Sequence, residues 1–293
     1  MKFRTEIPTP EYPFHISYQH QLMLLGSCFS DHIGNFFQEM GFDTLSNPFG
    51  TLFNPISIAT ALKMGLNPAK FDETYIDFFN GKWISHAHHG KFSHPDKETF
   101  RQNISQCLNR AHDFLASADY LLLTFGTAYC YRLIERDLIV ANCHKIPANR
   151  FEKKLFTVEQ ITDIYHELLS QLLQFNPKLK VIFTVSPVRH LADGFHENQI
   201  SKATLHLSIN QLIDNKNIFY FPSYEMVQDD LRDYRFYATD LCHPSEAAVT
   251  YISEKLTEAF FTKETQERMK EVVKENKAKG HIQLTWVGFP INN

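Results

Sequence analysis

The chain has 293 residues, 43% of them hydrophobic and 21% charged, proportions that suit an ordinary folded protein able to bury a substantial core. Its formal net charge of -4 gives no electrostatic reason to expect nucleic acid or an anionic membrane as partner. Twenty-six Phe and twelve Tyr point first to an aromatic-rich core, since buried rings serve mainly as large apolar fillers.

After a Pro-rich lead-in, Gln21–Leu25 is a short apolar run that stops at Gly26. A helical pattern with Phe29, Ile33, Phe36 and Phe37 follows, so the segment reads as strand, tight turn, helix. The turn-rich stretch Ser46–Pro55 leads into a helix near Ile56–Met64, with Pro55 suited to its first turn. Short β-like pieces at Tyr75–Phe79 and Lys82–Ile84, then the polar run His86–His94, read as an irregular insertion or small hairpin over 73–95. Lys97–Ala116 reads as a helix and Asp119–Phe125 as a buried parallel strand ending at Gly126. Tyr129–Ile134 and Leu138–Ala141 pair as a hairpin outside the main sheet. Thr157 with Gln160 three residues on marks a capped helix reaching about Gln174. Leu179–Val185 is the third strong strand, broken by Ser186-Pro187. A long amphipathic helix (Glu197–Asp214), a short strand (Asn217–Phe221), a helical turn or two (Tyr224–Leu231) and a closing helix (Ser245–Phe261) complete the pattern.

Strands alternating with helices predict a mostly parallel, doubly wound α/β sheet covered on both faces, with its site at the C-terminal ends of strands. One domain over 1–293 is expected, with the insertion at 73–95 and a charged helix or tail at 262–293. The five cysteines, Cys28, Cys107, Cys130, Cys143 and Cys242, leave an odd one over and include no C-x-x-C pair. That argues against a disulfide framework and a zinc knuckle and for a reducing compartment. The N-terminus lacks an apolar h-region and no stretch reaches the length of a membrane span. The expected location is therefore the cytoplasm, with no membrane insertion. His86, His88, His89 and His94 invite a metal reading, but no familiar ligand spacing accompanies them, so no metal and no cofactor are expected; Trp83 and His88 are candidates for walling a cleft instead.

Gly26-Ser27-Cys28 places a hydroxyl where a strand ends and a helix begins, close to a positive helix end. That geometry suits a nucleophile beside oxyanion donors, although a lone Gly-Ser after a strand more often only caps the helix. Near the other end of the chain, Asp240-Leu-Cys-His243 lets a carboxylate orient one imidazole nitrogen and leave the other free as a base. Together they supply the parts of Ser–His–Asp catalysis in chain order Ser, Asp, His. Arg189 and His190, after Ser186-Pro187 at a predicted strand end, are candidates for binding substrate, the guanidinium through a carboxylate or phosphate. A structural ion pair with a nearby acid is the competing reading for Arg189.

LLGSCFSDHIG (24–34), NPFGTLFNP (47–55), TFGTAYCY (124–131), FTVSPVRHLADGFHENQISKATL (183–205) and DYRFYATDLCHPSEAA (233–248) together resemble the GSCFA-domain family, with Ser30 where the family name has Ala. That family is similar to the SGNH/GDSL hydrolases. The resemblance implies a flavodoxin-like three-layer α/β/α sandwich, Ser27 as nucleophile, His243 as general base and Asp240 as its orienting acid. It also implies an esterase acting on a small-molecule or carbohydrate ester such as an O-acetyl sugar, with an O-acyltransferase or a non-catalytic binding domain as the other readings. The SGNH pattern completes its oxyanion hole with an Asn where this chain has Ala128. Gly50, through its backbone, and Asn54 or Asn47, through a side-chain amide, are the substitutes expected beside the Ser27 amide.

Overall fold

Along Gln21–Gly26 (β1) successive side chains alternate sides. Leu22 and Leu24 join one apolar cluster and Met23 and Leu25 another, all four buried, so this strand demands a covering layer on each face. A computed structural model describes residues 4–278 of the chain. From β1 the chain passes through α1 (Cys28–Glu39), β2 (Asp43–Ser46) and α2 (Pro55–Leu66) to a hairpin of β3 (Ile76–Phe79) and β4 (Lys82–Ser85). Next come α3 (Lys97–Ser117), β5 (Tyr120–Phe125), β6 (Tyr129–Leu133), β7 (Leu138–Val140) and β8 (Phe151–Leu155). The last part holds α4 (Val158–Phe175), β9 (Lys180–Val185), α5 (Phe195–Leu212), β10 (Ile218–Tyr220), α6 (Ser223–Glu225), α7 (Glu246–Phe260) and α8 (Lys263–Ala278). The expected charged C-terminal segment continues to residue 293, and its part past 278 lies outside the described residues.

Five strands pair in parallel in the order β10-β9-β5-β1-β2. Read from the β2 end, this is the second, first, third, fourth and fifth strand of the sheet by position in the chain, the flavodoxin-like order, whose switch point lies between β1 and β5. Side chains of α2, α3, α4 and α5 pack on one face through Leu62, Ala111, Leu168 and Leu205. Phe36 of α1, Leu256 of α7 and Met269 of α8 pack on the other. The result is the three-layer α/β/α arrangement expected from the sequence. Phe29, Phe36, Phe37, Phe49, Phe100, Phe125, Phe183 and Phe260 are among its largest fully buried side chains, and each such burial stabilises by roughly 1.5–3 kcal/mol.

Two small antiparallel sheets stand apart from the main one: the β3–β4 hairpin and β7-β6-β8. The hairpin of β6 and β7 was legible in the sequence; β8, with the sequence FEKKL, was not, because its charged and exposed middle hides the pairing with β6. Strand β2 also escaped, being only four residues (DTLS) at the sheet edge. Among the described residues no helix is long and apolar enough to cross a membrane.

Candidate active site

At the C-terminal end of β1 the backbone turns at Gly26, whose φ of +147° and closeness to β5 admit no side chain: a β-carbon there would lie 2.2 Å from Thr124 O. The turn is fastened by Asn47, whose Oδ1 accepts from Gly26 N–H at 2.9 Å while its Nδ2 donates to Asp31 at 2.7 Å. Leu52 N–H donates to Gly26 O at 2.9 Å. Ser27 follows as the N-cap of α1, its Oγ accepting from Phe29 N–H at 3.3 Å. The hydroxyl is fully buried and donates to Ser186 Oγ at the end of β9, 3.0 Å away.

The second part of the site is the turn before α7. Asp240 Oδ1 accepts from the Cys242 and His243 amides at 2.9 and 3.0 Å, and Oδ2 meets His243 Nδ1 at 2.6 Å. Those amide bonds first, and the imidazole after them, hold the Asp240 carboxyl far below the usual carboxylate range, so it stays charged. Both side chains are about half exposed, 49% and 47%. The turn is tied to the end of the sheet by Arg189, whose N–H donates to Cys242 O at 3.0 Å and whose Nη1 donates to Leu241 O at 2.9 Å. Ser27 directs its hydrogen to Ser186, not to His243, so the Asp–His pair is assembled while the Ser–His contact is not.

Beneath these groups lies a floor made by the ends of β5 and β9. Phe53 O accepts from the Gly126 and Thr127 amides at 2.8 and 3.0 Å, drawing the 52–54 segment along the edge. Lys202, fully buried, donates through Nζ to Gly126 O and Ser186 O, each at 2.7 Å. Burial draws its ammonium down to about 7, opposed by the nearby Cys28. His190 N–H donates to Asn198 Oδ1 at 2.9 Å, and its ring meets Phe53 with centroids 6.0 Å apart. Burial first, then the Lys202 charge, pushes the imidazole down to about 3, so it is neutral. Its Nε2 is buried with no hydrogen-bond partner.

The structure sorts the residues singled out from sequence. Ser27, Asp240, His243, Arg189, His190 and Asn54 stand at or beside one edge of the sheet, the last as N-cap of α2 with Oδ1 accepting from Ser57 N–H at 2.8 Å. Gly50 is corrected as an oxyanion donor, because its amide is spent on Asn47 O at 2.8 Å within its own turn. Asn47 is corrected as an amide donor to the oxyanion or to any other substrate group: it is buried and both ends of its amide brace the β1 turn. His88 is corrected as a cleft wall, being fully buried with Nδ1 at 2.8 Å from Ser85 Oγ and its ring among Phe49, Phe71 and Phe92. Trp83 packs against Phe78 and Lys97, in the hairpin and at the start of α3, so its contacts are with those elements. Arg189 has no ion pair among the described residues; its guanidinium is ringed by Phe195, Tyr234 and Tyr237 at 5.4–5.9 Å and lines a cleft of about 270 Å³. Cys28 is no rival nucleophile, since burial first and Asp31 next raise its thiol pKa.

Three residues went unnamed as site residues: Gly126, Ser186 and Lys202. For Lys202 a signal existed, because Asn198, Ser201, Lys202, Leu205, Ser208, Ile209 and Leu212 form the buried stripe of α5, and a lysine on such a stripe requires a partner.

Fold and site together define an α/β protein with a serine at a strand end and a bonded Asp–His pair at the same sheet edge. The model of the GSCFA family matches residues 21–256, and the chain belongs to that family. No curated protein matches it. Among solved structures it is similar to a carbohydrate esterase family 3 protein from Talaromyces cellulolyticus, with 9% identity, 87% of this chain and 99% of that one covered, and a TM-score of 0.37. It is also similar to a carbohydrate esterase family 2 enzyme with its carbohydrate binding domain from Corynascus thermopiles (Myceliophthora fergusii), with 11% identity, 94% and 69% covered, and a TM-score of 0.39.

Proposed function

We propose that the protein is a serine hydrolase that cleaves an ester through a Ser27–His243–Asp240 triad and an acyl-enzyme. The observation that carries this reading is the 2.6 Å bond between His243 Nδ1 and a carboxylate kept ionised, on a turn tethered by Arg189 to the edge where Ser27 ends β1. Such a pair fixes the imidazole so that Nε2 is the free base and balances the imidazolium formed during reaction.

In the reaction, the Ser27 hydroxyl swings from Ser186 toward His243 Nε2, which takes its proton as Oγ attacks the acyl carbon. The tetrahedral intermediate collapses, His243 passes the proton to the leaving alcohol, and water, deprotonated by the same base, releases the acid and regenerates Ser27. The positive end of α1 favours negative charge beside Ser27 throughout. A small O-acyl group on a carbohydrate is the proposed substrate class by family analogy. The exposed faces of Phe195 and Tyr234 beside Arg189 offer its alcohol portion an apolar and cationic surface.

Labelling with a fluorophosphonate probe tests the reading. Wild type is expected to be labelled at Ser27, Ser27→Ala not at all, and His243→Ala about a thousandfold more slowly. Equal labelling of Ser27→Ala ends the proposal. Labelling of the wild type without turnover of acetyl esters, but with acyl transfer to an added sugar, moves the activity from hydrolysis to transfer.

A further inference from the structure

We infer that His190 is the side-chain oxyanion donor of this site, a catalytic residue that contacts the reacting carbonyl oxygen through Nε2–H and takes the place left by the missing Asn at Ala128. This inference rests on the serine-nucleophile reading above.

Three observations lead to it. First, the backbone donors and Asn47 are committed elsewhere: the Gly50 amide bonds Asn47 O, the Gly126 amide bonds Phe53 O, the Ser27 amide reaches Thr124 O at 3.3 Å, and Asn47 Nδ2 donates to Asp31. Second, His190 Nε2 is buried without a partner, beside a nucleophile that is itself fully buried. Other buried imidazole nitrogens, such as His88 Nε2, also lack a bond, but the one on His190 lies at the end of the sheet beside Ser27, where a substrate oxygen can supply the missing partner. Third, Gly126 leaves a niche between them. A β-carbon on Gly126 would lie 3.2 Å from His190 Nε2, 3.5 Å from Ser27 Cβ and 2.9 Å from Phe53 O, and this last oxygen already accepts the Gly126 and Thr127 amides. An acyl oxygen entering from the Ser27 side comes within hydrogen-bonding range of Nε2 there.

The chemistry of the ring suits a donor rather than a base. Desolvation, Lys202 and His243 all disfavour its cation, so the imidazole remains neutral across the physiological range and presents an N–H without gaining charge. A neutral imidazole in a dry pocket polarises a carbonyl and stabilises the oxyanion as charge develops, with no proton transferred. The His190 backbone amide, bonded to Asn198 Oδ1, anchors the residue at the strand end, and the ring packs edge-on against Phe53.

The test measures the second-order rate of fluorophosphonate labelling from pH 5 to 9 for wild type, His190→Ala, His190→Phe and His190→Gln, each checked for thermal unfolding. Loss of one such donor costs about a hundredfold, so His190→Ala and His190→Phe are expected to label about a hundredfold more slowly at every pH, with the profile unchanged in shape. His190→Gln, which restores an N–H donor, is expected to recover part of the rate. In wild type, ¹⁵N resonances should report a neutral Nε2–H ring whose proton shifts downfield in the phosphonyl adduct, a readout that needs no variant to fold. Labelling of His190→Ala within about threefold of wild type, far short of the hundredfold typical for a lost donor, overturns the inference alone. So does a loss confined to one limb of the pH profile, or a ring found unprotonated at Nε2 in the adduct. Wild type that is not labelled at Ser27 overturns the nucleophile reading and this inference together.

Discussion

Two glycines carry the site for different physical reasons, and substitutions separate them. At Gly26 the restriction is on fold: with φ at +147° and Thr124 O only 2.2 Å from a β-carbon, Gly26→Ala forces β1 and β5 apart. A loss of at least about 1–3 kcal/mol is expected, read as a lowered urea midpoint. At Gly126 the restriction is on space beside Ser27, and its β-carbon meets one backbone oxygen at 2.9 Å. Gly126→Ala is therefore expected to stay folded and to fall about a hundredfold in labelling rate, the scale set by a 1 Å misplacement of the reacting groups. A Gly126→Ala protein that labels at the wild-type rate would show that the acyl oxygen lies elsewhere.

Between elements, the alignment of the turn before α7 on the ends of β5 and β9 depends on few contacts. Leu241 holds φ at +56°, an uncommon conformation for a residue with a side chain, and its carbonyl is gripped by the Arg189 guanidinium. Arg189→Ala leaves the backbone bond to Cys242 O but frees this carbonyl. The expected outcome is a labelling rate reduced by roughly tenfold to a hundredfold with little change in unfolding temperature; a wild-type rate would assign Arg189 to substrate binding alone. The elements behind this arrangement differ in how plainly the sequence announced them. Apolar runs such as Asp119–Phe125 are buried on both faces and advertise themselves, and the strand-turn-helix at Gly26-Ser27 is written in consecutive residues. The partnership of Ser27 with Ser186, 159 positions away, is a product of topology that no local pattern encodes. The roles of Gly50 and His88 were misread because spacing places a residue near a turn or in a cluster without saying whether its polar atoms are already bonded.

Over the whole molecule, the buried basic groups bias stability toward neutral and alkaline pH. Burial is the leading cause of the lowered pKa of His86, His88, His144 and His190, with His88 and His190 brought to about 3. A folded-state pKa below the unfolded value near 6.5 means that the unfolded chain binds protons first as pH falls. Stability is thus intact above about 6.5 and lost progressively below it, by up to about 1.4 kcal/mol per pH unit for each group, until the folded pKa is reached. Lys202 acts with the same sign in a higher window: its pKa of about 7 against an ordinary 10.5 makes its contribution fall between pH 10.5 and 7 and level off below. Urea midpoints measured from pH 4.5 to 9 are therefore expected to rise with pH, steeply below 6.5. His88→Leu, which removes a ring with no role at the site, should flatten the acid part of that curve by about one group's slope. It should leave the pH profile of Ser27 labelling unmoved, because His88 lies tilted or edge-on among Phe49, Phe71 and Phe92 with its Nδ1 on Ser85, whereas the groups at the end of β1 are bonded to Asn47, Thr124 and Ser186. An acid slope identical in wild type and His88→Leu would mean that His88 titrates freely in the folded protein, which its complete burial and unpartnered Nε2 oppose.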